Sequence, residues 1–481
     1  MTLGATQIQA IVDATKTPTA EQVRVIEAPR RPLLVVAGAG SGKTETMSMR
    51  VLWLLANHPD LTPASILGLT FTRKAAGELG DRLRERIRLL LRELPQMRER
   101  LDEDPVTLTY NSFAERIVSE HGMRIGIDPD FSMLSEAGAL DMMTQIVEAW
   151  PTDLDDDLSP AGVVGRILHL AGEIAEHGYT VEGARQALEG FGRELEIVGD
   201  SNKAARELHQ ANQRRIAFLG PIEAYQKRKR EMGLLDFSDQ LVLATRIVRE
   251  VPSVRAALRE EFRAVLLDEF QDTSVIQMEL LSTLFGDHAV TAVGDPNQAI
   301  YGWRGASASS LETFLERFQT GAPEEGQTLT LSTAWRNDVS ILEAANRVAE
   351  PLREVASYQE GKEQLNAQSP VLVPRPGAGR GVVEIAYPAA YEDALAATVD
   401  FVRRVRSRSR KDGSRRSVAV LSRRRKDFPL IDAALREAGI PTEIVGLGGL
   451  LDQPAVQDVR AALELGYDVA ASPWLARLLA G

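Results

Sequence analysis

A glycine-rich segment follows directly on a short apolar run near the N-terminus. The run is Leu33-Leu-Val-Val36, and the segment consists of Ala37, Gly38, Ala39, Gly40, Ser41, Gly42, Lys43 and Thr44. The apolar run predicts a buried strand, and the glycines let the next backbone N–H groups point at anionic oxygens. A helix that begins at Lys43 would bring its lysine to phosphates and the Thr44 hydroxyl to Mg²⁺. The segment therefore predicts a nucleotide site. Ala37 is its one departure from the phosphate-loop pattern G-x-x-x-x-G-K-[ST], which begins with glycine.

Length and composition set the frame for this site. The 481 residues are enough for about three domains, each able to bury a core. The absence of cysteine excludes disulfides and thiolate metal sites. The N-terminus lacks a basic segment followed by an apolar one, and no stretch approaches about 18 consecutive apolar residues. The sequence thus predicts a soluble, cytoplasmic chain with no membrane partner.

The net charge of −12 argues by itself against a nucleic-acid partner. Its distribution weakens that objection, because acidic residues cluster at 153–157 whereas basic residues are dense at 403–416 and 423–426. A basic run of this kind is more often a solvated linker than a binding groove. It is given no catalytic role.

Short apolar strands alternate with helical segments along much of the chain. Strands are predicted at residues 66–71, 106–110, 264–267, 290–293 and 328–332, and again at 382–386, 418–421 and 442–445. From about 139 to 232 the strand pattern is replaced by helical periodicity. The pattern predicts an α/β fold with a mostly parallel sheet, ligands at the carboxyl ends of its strands, and an inserted helical domain.

A pair of carboxylates ends the predicted strand at 264–267. Asp268 is suited to hold Mg²⁺, directly or through water, and Glu269 to orient and deprotonate the water that attacks a γ-phosphate. An isolated Asp-Glu pair at a strand end is more often a surface turn. Downstream of a phosphate-binding loop, the same pair favours nucleotide hydrolysis.

A third motif, at 294–306, follows the strand at 290–293 and would lie at the same sheet edge. It contains Gln298, placed to sense the γ-phosphate, and the aromatic residues Tyr301 and Trp303. Exposed aromatic rings are stacking platforms for single-stranded bases. Isolated aromatics at this spacing are more often part of a core, so the two readings stay open here.

In this order, the motifs at 37–44, 69–76, 267–273 and 294–306 make the chain resemble the UvrD/Rep-type superfamily 1 DNA helicases. The resemblance extends from about residue 19 to 459. The sequence of residues 42–47 and 68–76 is most similar to that of the motor subunits of actinobacterial helicase–nuclease complexes. The resemblance implies a P-loop NTPase fold with two RecA-like parallel-sheet domains and an inserted helical domain.

The resemblance also implies roles for single residues. Gln22 would read the adenine and Trp335 would stack on it, while Phe71 would join Tyr301 and Trp303 in binding DNA. Arg336 would reach the γ-phosphate and complete a catalytic set with the motif residues Lys43, Glu269 and Gln298.

Two departures from the family pattern stand out. Asn111 replaces a histidine that is usual in relatives, which weakens the case for a DNA contact there. Glu45 replaces a frequent arginine and receives no nucleotide role.

The resemblance predicts domain boundaries as well. The first motor domain would comprise residues 1–137 and 232–322, the helical insertion 138–231, and the first part of the second motor domain 323–481. Residues 450–459 look like the last family element before a large insertion. We therefore expect the chain to lack a C-terminal part and to hydrolyse ATP poorly by itself.

The resulting hypothesis is an ATP- and Mg²⁺-dependent 3'–5' helicase that acts on single-stranded DNA and single-strand/double-strand junctions in repair or recombination. A partner helicase–nuclease subunit is a further expectation. Two alternatives remain: an ATP-gated single-stranded DNA-binding module that does not unwind, and a P-loop kinase of small molecules. The kinase alternative leaves Phe71, Tyr301 and Trp303 without a role.

Overall fold

A computed structural model describes residues 2–128, 130–152, 154, 158–198, 203–302, 310–319, 321, 326–357, 369–408, 413–414, 416–445, 454–467 and 478. The chain forms two compact units, Met1–Val382 and Val383–Gly481. The predicted site residue Trp303 lies outside the described residues, as do residues 446–453.

The first unit is built on a six-stranded sheet in which all neighbouring strands run parallel. Its strands are β1 (Leu33–Ala37), β2 (Ile66–Thr70), β3 (Val106–Thr109), β6 (Ala264–Leu267), β7 (Val290–Gly294) and β8 (Gln327–Leu331). Their order across the sheet is β3-β2-β6-β7-β1-β8. The α/β class with a parallel sheet is thus confirmed, and so are the strands predicted in these regions.

Helices cover both faces of this sheet and also form a separate bundle. In the first unit they are α1 (Ala5–Val12), α2 (Ala20–Ile26), α3 (Lys43–Asn57), α4 (Arg73–Glu93), α5 (Tyr110–His121), α6 (Glu136–Glu148), α7 (Pro160–Glu176), α8 (Val181–Val198), α9 (Lys203–Glu231), α10 (Phe237–Glu250), α11 (Pro252–Glu261), α12 (Val275–Phe285), α13 (Phe314–Phe318) and α14 (Val339–Ser357).

Successive side chains of a strand point to opposite faces of the sheet, and β1 shows how this divides the core. Leu34 and Val36 pack into a cluster with residues of α5, α10 and α12. Leu33 and Val35 pack into a second cluster with residues of α1, α3 and α4. All five residues of β1 are buried, so its carboxyl end is held in the middle of a two-sided core.

The helical insertion has a core of its own. Helices α6 to α9 bury a cluster that includes Met143, Ile167, Leu219 and Ile222. At its base, β4 (Ser132–Met133) pairs in parallel with β5 (Leu234–Leu235). These helices occupy the region predicted for the insertion, while the exact domain boundaries stay predictions.

Strand β8 lies beyond residue 322, where the sequence analysis begins the second motor domain. The structure nevertheless pairs it with β1, from Leu33 opposite Gln327 to Ala37 opposite Leu331. Without β8, β1 would be an unpaired sheet edge, and the added strand satisfies its backbone groups. A short strand, β9 (Thr333–Ala334), continues from β8 and pairs with β10 (Val373–Pro374).

The second unit contains the helices α15 (Tyr391–Ser407), α16 (Phe428–Glu437) and α17 (Pro454–Tyr467). The strands predicted at 382–386, 418–421 and 442–445 are wrong for the described residues, where these segments form no ladder. A strand requires backbone hydrogen bonds to a neighbour. Ile385 and Leu421 are about nine-tenths exposed, so their segments are not packed into a sheet.

A helix that crosses a bilayer needs about 20 mostly apolar residues in a row. None of the described helices combines enough residues with enough apolar character to cross a membrane.

Arg50 on α3 is the largest charged group in the core and is only 1% exposed. Its guanidinium donates hydrogen bonds to the carbonyl oxygens of Val25, Ala28 and Pro29 and to the Thr291 hydroxyl, at 2.8–2.9 Å. Burial lowers the pKa of Arg50 to about 10, so the group stays charged at neutral pH. Arg50 thereby fixes the chain after α2 to both α3 and β7.

Replacing Arg50 by methionine should cost about 3 kcal/mol or more of unfolding free energy, because several buried carbonyl groups would lose their donor. Urea denaturation followed by circular dichroism measures this. Arg88 is exposed on α4, so R88M is a matched control that should change stability by less than about 0.5 kcal/mol. Equal stabilities of the two variants would contradict the role given to Arg50.

Candidate active site

The turn between β1 and α3 has the shape of a phosphate-binding loop. Gly40 and Gly42 adopt φ values of +77° and +83°, a region in which a side chain is strained. A Cβ on Gly40 would also stand 3.0 Å from the Cβ of Arg336. Ala37 and Gly38 are buried beneath the turn, and Ala39 is half-buried within it.

A cavity of about 420 Å³ opens above this turn. It is lined by Gly40, Ser41, Gly42, Lys43, Thr44, Glu45, Arg82, Glu269, Gln298, Trp335 and Arg336. The Ser41 hydroxyl is buried and has no hydrogen-bond partner within the described part of the chain, as expected of a donor awaiting a phosphate oxygen. The structure thus brings together the predicted catalytic residues and most of the predicted nucleotide-binding residues.

Lys43 and Glu269 form an ion pair at the centre of the cavity. The Lys43 Nζ donates to Glu269 Oε2 at 2.7 Å, and the two residues are 226 positions apart. The lysine side chain is 11% exposed and the glutamate side chain 38% exposed. Anionic phosphates would compete for the ammonium group and release the carboxylate.

The backbone of Glu269 directs its side chain to this pair. Glu269 has a φ of +50° and, with Asp287, is one of two described non-glycine residues with positive φ. Such a conformation costs about 1–3 kcal/mol and is concentrated at functional sites. Burial raises the pKa of Glu269, but the Lys43 charge and hydrogen bonds from Lys43 and Gln271 outweigh burial and lower it overall. The carboxylate is therefore ionised at neutral pH.

Asp268 and Asp272 flank this carboxylate and have the opposite shift. Burial, and then the charge of Glu269, raises the pKa of each to about 6. Asp268 is 8% exposed and accepts one hydrogen bond from the Glu269 backbone N–H at 3.0 Å. A cation beside Asp268 would relieve the repulsion between these carboxylates.

The residues predicted to hold Mg²⁺ fit that ion chemically. Thr44 contributes a hydroxyl and Asp268 a carboxylate, which are hard oxygen ligands. Mg²⁺ in such sites is held by one or two protein oxygens together with substrate phosphates and water. Burial, and then the charge of Glu269, raises the pKa of Asp268, and a cation beside this carboxylate would offset both effects.

A hydrogen-bond network links the motifs on β6 and β7. The Gln271 amide donates to Glu269 Oε2 at 2.9 Å and accepts from the Asp295 N–H at 3.0 Å. Gln298 in turn donates to Asp295 Oδ2 at 2.7 Å. Because Gln298 lines the cavity, any shift at Glu269 has a short polar route to the segment after β7.

Gln22 and Trp335 converge on Gly42 from two elements. A Cβ on Gly42 would stand 3.2 Å from Gln22 Nε2 and 3.9 Å from Trp335 Cδ1. Gln22 Oε1 accepts from the Thr19 N–H, which fixes the amide, and Trp335 is 40% exposed. An amide and an indole face at one side of a phosphate-binding loop form a suitable site for a purine base.

Phe71 and Tyr301 contact each other at the carboxyl ends of β2 and β7. Their ring centroids are 4.6 Å apart with 35° between the planes, and both side chains are half-buried. The structure therefore brings together two of the three aromatic residues predicted to bind DNA. Neither ring belongs to the two buried clusters that flank the sheet.

Arg82, which lines the cavity from α4, was not predicted as a site residue. It lies in a run of alternating charges on a helix, a pattern that does not distinguish a site residue from an exposed surface residue. Glu45, which received no nucleotide role, also lines the cavity and forms an ion pair with Arg86 at 2.5 Å. Asn111, the replacement for histidine, accepts a hydrogen bond from the Gln277 amide at 3.2 Å.

Comparisons with known proteins agree with this geometry. The sequence profile of the UvrD/REP helicase N-terminal domain matches residues 18–319. DNA helicase II of Escherichia coli and DNA helicase II of Salmonella typhimurium are each 30% identical over 334 residues, and ATP-dependent DNA helicase PcrA of Staphylococcus epidermidis is 28% identical over 334 residues. Each match covers 69% of this chain and 40% of the relative, so the chain spans about two fifths of their length.

The two residues of the ion pair are predicted to have different roles, Lys43 in nucleotide binding and Glu269 in turnover. K43A removes positive charge that phosphates would bind, so it should weaken both nucleotide binding and turnover. E269Q keeps the shape of the site, so it should preserve binding while turnover falls by about 100-fold or more. Titration with a fluorescent nucleotide and a phosphate-release assay measure the two effects. Equal losses of binding in both variants would contradict these roles.

The raised pKa of Asp268 predicts a pH dependence. Mg²⁺ binds the ionised carboxylate, so affinity for the Mg²⁺–nucleotide complex should fall as pH drops through about 6, by about tenfold between pH 8 and pH 5. Titrations repeated with EDTA should show a smaller dependence, and so should D268N, because what remains then comes from Asp272 and from the phosphates of the nucleotide.

The same shift predicts the stability of D268N without ligand. A raised pKa stabilises the fold at low pH, and this contribution is lost as pH rises through about 6. D268N should therefore unfold at a higher temperature than the unchanged chain at pH 7.5, but not at pH 4.5. A lower melting temperature of D268N than of the unchanged chain at pH 7.5 would show that burial of the ionised Asp268 carboxylate does not destabilise the fold.

Proposed function

Because the chain belongs to the UvrD/REP helicase family, we propose that it works as an ATP-dependent 3'–5' DNA translocase and helicase. Its substrates would be single-stranded DNA and single-strand/double-strand junctions met in repair or recombination. The names of the bacterial relatives support the helicase class. The direction of movement and the repair role are part of the proposal.

One observation carries this proposal: a single short segment joins the nucleotide cavity to the aromatic platform. Gln298 lines the cavity, and Tyr301, three residues later, contacts Phe71. A kinase of small molecules has no use for such a connection. A motor needs it, because a change at the phosphates has to reach the bound strand.

In the proposed reaction, phosphate binding begins at the loop between β1 and α3. Its backbone N–H groups and Lys43 would bind the phosphates, while Thr44 and Asp268 would hold Mg²⁺. The ion would neutralise charge on the phosphate oxygens. Gln22 and Trp335 would hold the base, with the amide edge and the indole face respectively.

Hydrolysis would then depend on Glu269 and Arg336. Once phosphates take over Lys43, Glu269 is free to orient the attacking water and accept its proton. Arg336 would stabilise charge on the γ-phosphate, a contribution worth on the order of 10³–10⁵ in rate in related reactions. Arg82 lines the same cavity and would add positive charge.

Strand binding would use the rings of Phe71 and Tyr301, with Trp303 as a further predicted member. Stacking on every base is possible because each base has a π face, so binding would depend little on sequence. The two rings contact each other in the structure.

Three further predictions stay open. These are the similarity to actinobacterial helicase–nuclease motors, a partner subunit of that kind, and the cytoplasmic location. No feature of the described site depends on them.

A DNA-stimulated ATPase assay with oligo(dT) tests the proposal, followed by strand separation with 3'-tailed and 5'-tailed duplexes. Turnover stimulated by DNA and preference for the 3' tail are expected of the motor, with turnover by this chain alone expected to be low. Nucleotide-dependent DNA binding without turnover would point instead to the ATP-gated binding module. Turnover that ignores DNA would contradict both.

The aromatic platform gives a separate prediction. F71A and Y301A should each weaken oligo(dT) binding by roughly 1–3 kcal/mol, measured by fluorescence anisotropy. Their unfolding free energies should fall by less than the roughly 3–5 kcal/mol of a core aromatic, for which F113A is the control. Large stability losses with unchanged DNA affinity would assign both rings to the core.

A further inference from the structure

Glu21 makes a two-point contact with a residue 311 positions away. Its Oε2 accepts from the backbone N–H of Ser332 at 2.8 Å, and its Oε1 accepts from the Ser332 hydroxyl at 2.7 Å. Hydrogen bonds to an ionised carboxylate are roughly twice as strong as those between neutral groups. The contact therefore ties α2 firmly to the chain between β8 and β9.

On one side of this tie lies the residue that faces the base site from α2. Gln22 follows Glu21 directly, and its Oε1 accepts from the Thr19 N–H at 3.0 Å. The oxygen keeps one lone pair, and Nε2 is a donor. An amide presented this way matches the N6 donor and N7 acceptor of adenine but not the O6 acceptor of guanine.

On the other side lies the strand that leads to the indole. Ser332 precedes β9, and Trp335 follows β9 directly. The backbone N–H of Trp335 donates to the Gly40 carbonyl at 2.8 Å, so this segment is also fixed to the phosphate-binding loop. A displacement of Ser332 would be passed to Trp335 within three residues.

The far end of α2 is held independently. Arg50 donates to the carbonyl oxygens of Val25 and Ala28 at 2.9 and 2.8 Å. With this end fixed, the contact of Glu21 decides where the first turn of α2 lies. The amide of Gln22 belongs to that turn.

We propose that Glu21 is a positioning residue for base selection: by binding Ser332, it sets the spacing between the Gln22 amide and the Trp335 indole, and so favours adenine over guanine nucleotides. This inference rests on the proposed nucleotide-binding function and extends it to base specificity. Glu21 itself touches no nucleotide in this scheme. It acts through the two residues whose spacing it fixes.

Titrations with ribose-labelled N-methylanthraniloyl-ADP and -GDP, both with Mg²⁺, test the proposal. The unchanged chain should prefer the ADP probe. E21Q is nearly isosteric but gives up the second charge-assisted acceptor, so it should weaken ADP binding by about tenfold and GDP binding by less than about twofold. S332A removes only the hydroxyl and should shift the preference in the same direction by a smaller factor.

Glu27 offers a matched control on the same helix. It caps the C-terminal end of α2, and its carboxylate accepts from the Ala5 N–H at 2.7 Å, away from the base site. E27Q should leave the ADP preference unchanged. In the double variant E21Q/S332A, the loss of ADP preference should be smaller than the sum of the losses in the two single variants, since both substitutions disrupt the same contact.

The outcomes separate this inference from the function on which it rests. Equal weakening of both probes in E21Q, or an unchanged preference, would overturn the positioning role while leaving nucleotide binding intact. Absence of binding of either probe to the unchanged chain would overturn the proposed function itself, and the inference with it. A loss of ADP preference in E27Q equal to that in E21Q would show that Glu21 only stabilises α2 and does not position the base site, which would overturn the inference.

Discussion

The position of β1 between β7 and β8 is the constraint on which the described site depends. Parallel strands place their carboxyl ends at one edge, and the neighbours of β1 bring their following segments to the phosphate-binding loop. Gln298 arrives there after β7, and Trp335 and Arg336 arrive after β8. The residues of the cavity are far apart in sequence and become neighbours because backbone ladders fix the order of the strands.

The carboxylates at this edge of the sheet are buried close together, which destabilises the fold when they are ionised. Three carboxylates, Asp268, Glu269 and Asp272, crowd around one ammonium group, and burial raises the pKa of both aspartates. Lys43 neutralises only Glu269 directly. A divalent cation beside Asp268 would offset this crowding, while Arg82 and Arg336 add positive charge to the cavity for phosphates. The strained backbone of Glu269 is likewise tolerated where the pair with Lys43 requires it.

Much of this arrangement could be predicted from the sequence because it depends on local patterns. A buried apolar run followed by glycines, or by Asp268 and Glu269, marks a strand and its functional end. The features that were missed depend on long-range geometry: Arg50, Glu21 and Arg82 are single charges on helices, and only their distant partners distinguish them from surface residues. The strands predicted in the second unit had the right apolar composition, but composition does not supply the neighbouring strand that a ladder needs. The pairing of β8 with β1 also depends on a long-range backbone ladder that composition does not indicate.

The spacing of Gln298 and Tyr301 has a mechanical meaning. Three residues span at most about 10 Å even when fully extended, so the aromatic pair cannot lie farther than this along the chain from the residue that lines the cavity. A connector this short limits how far the aromatic pair can move independently of Gln298. In the proposed motor, a movement at the phosphates and a movement of the aromatic pair would therefore be closely coupled.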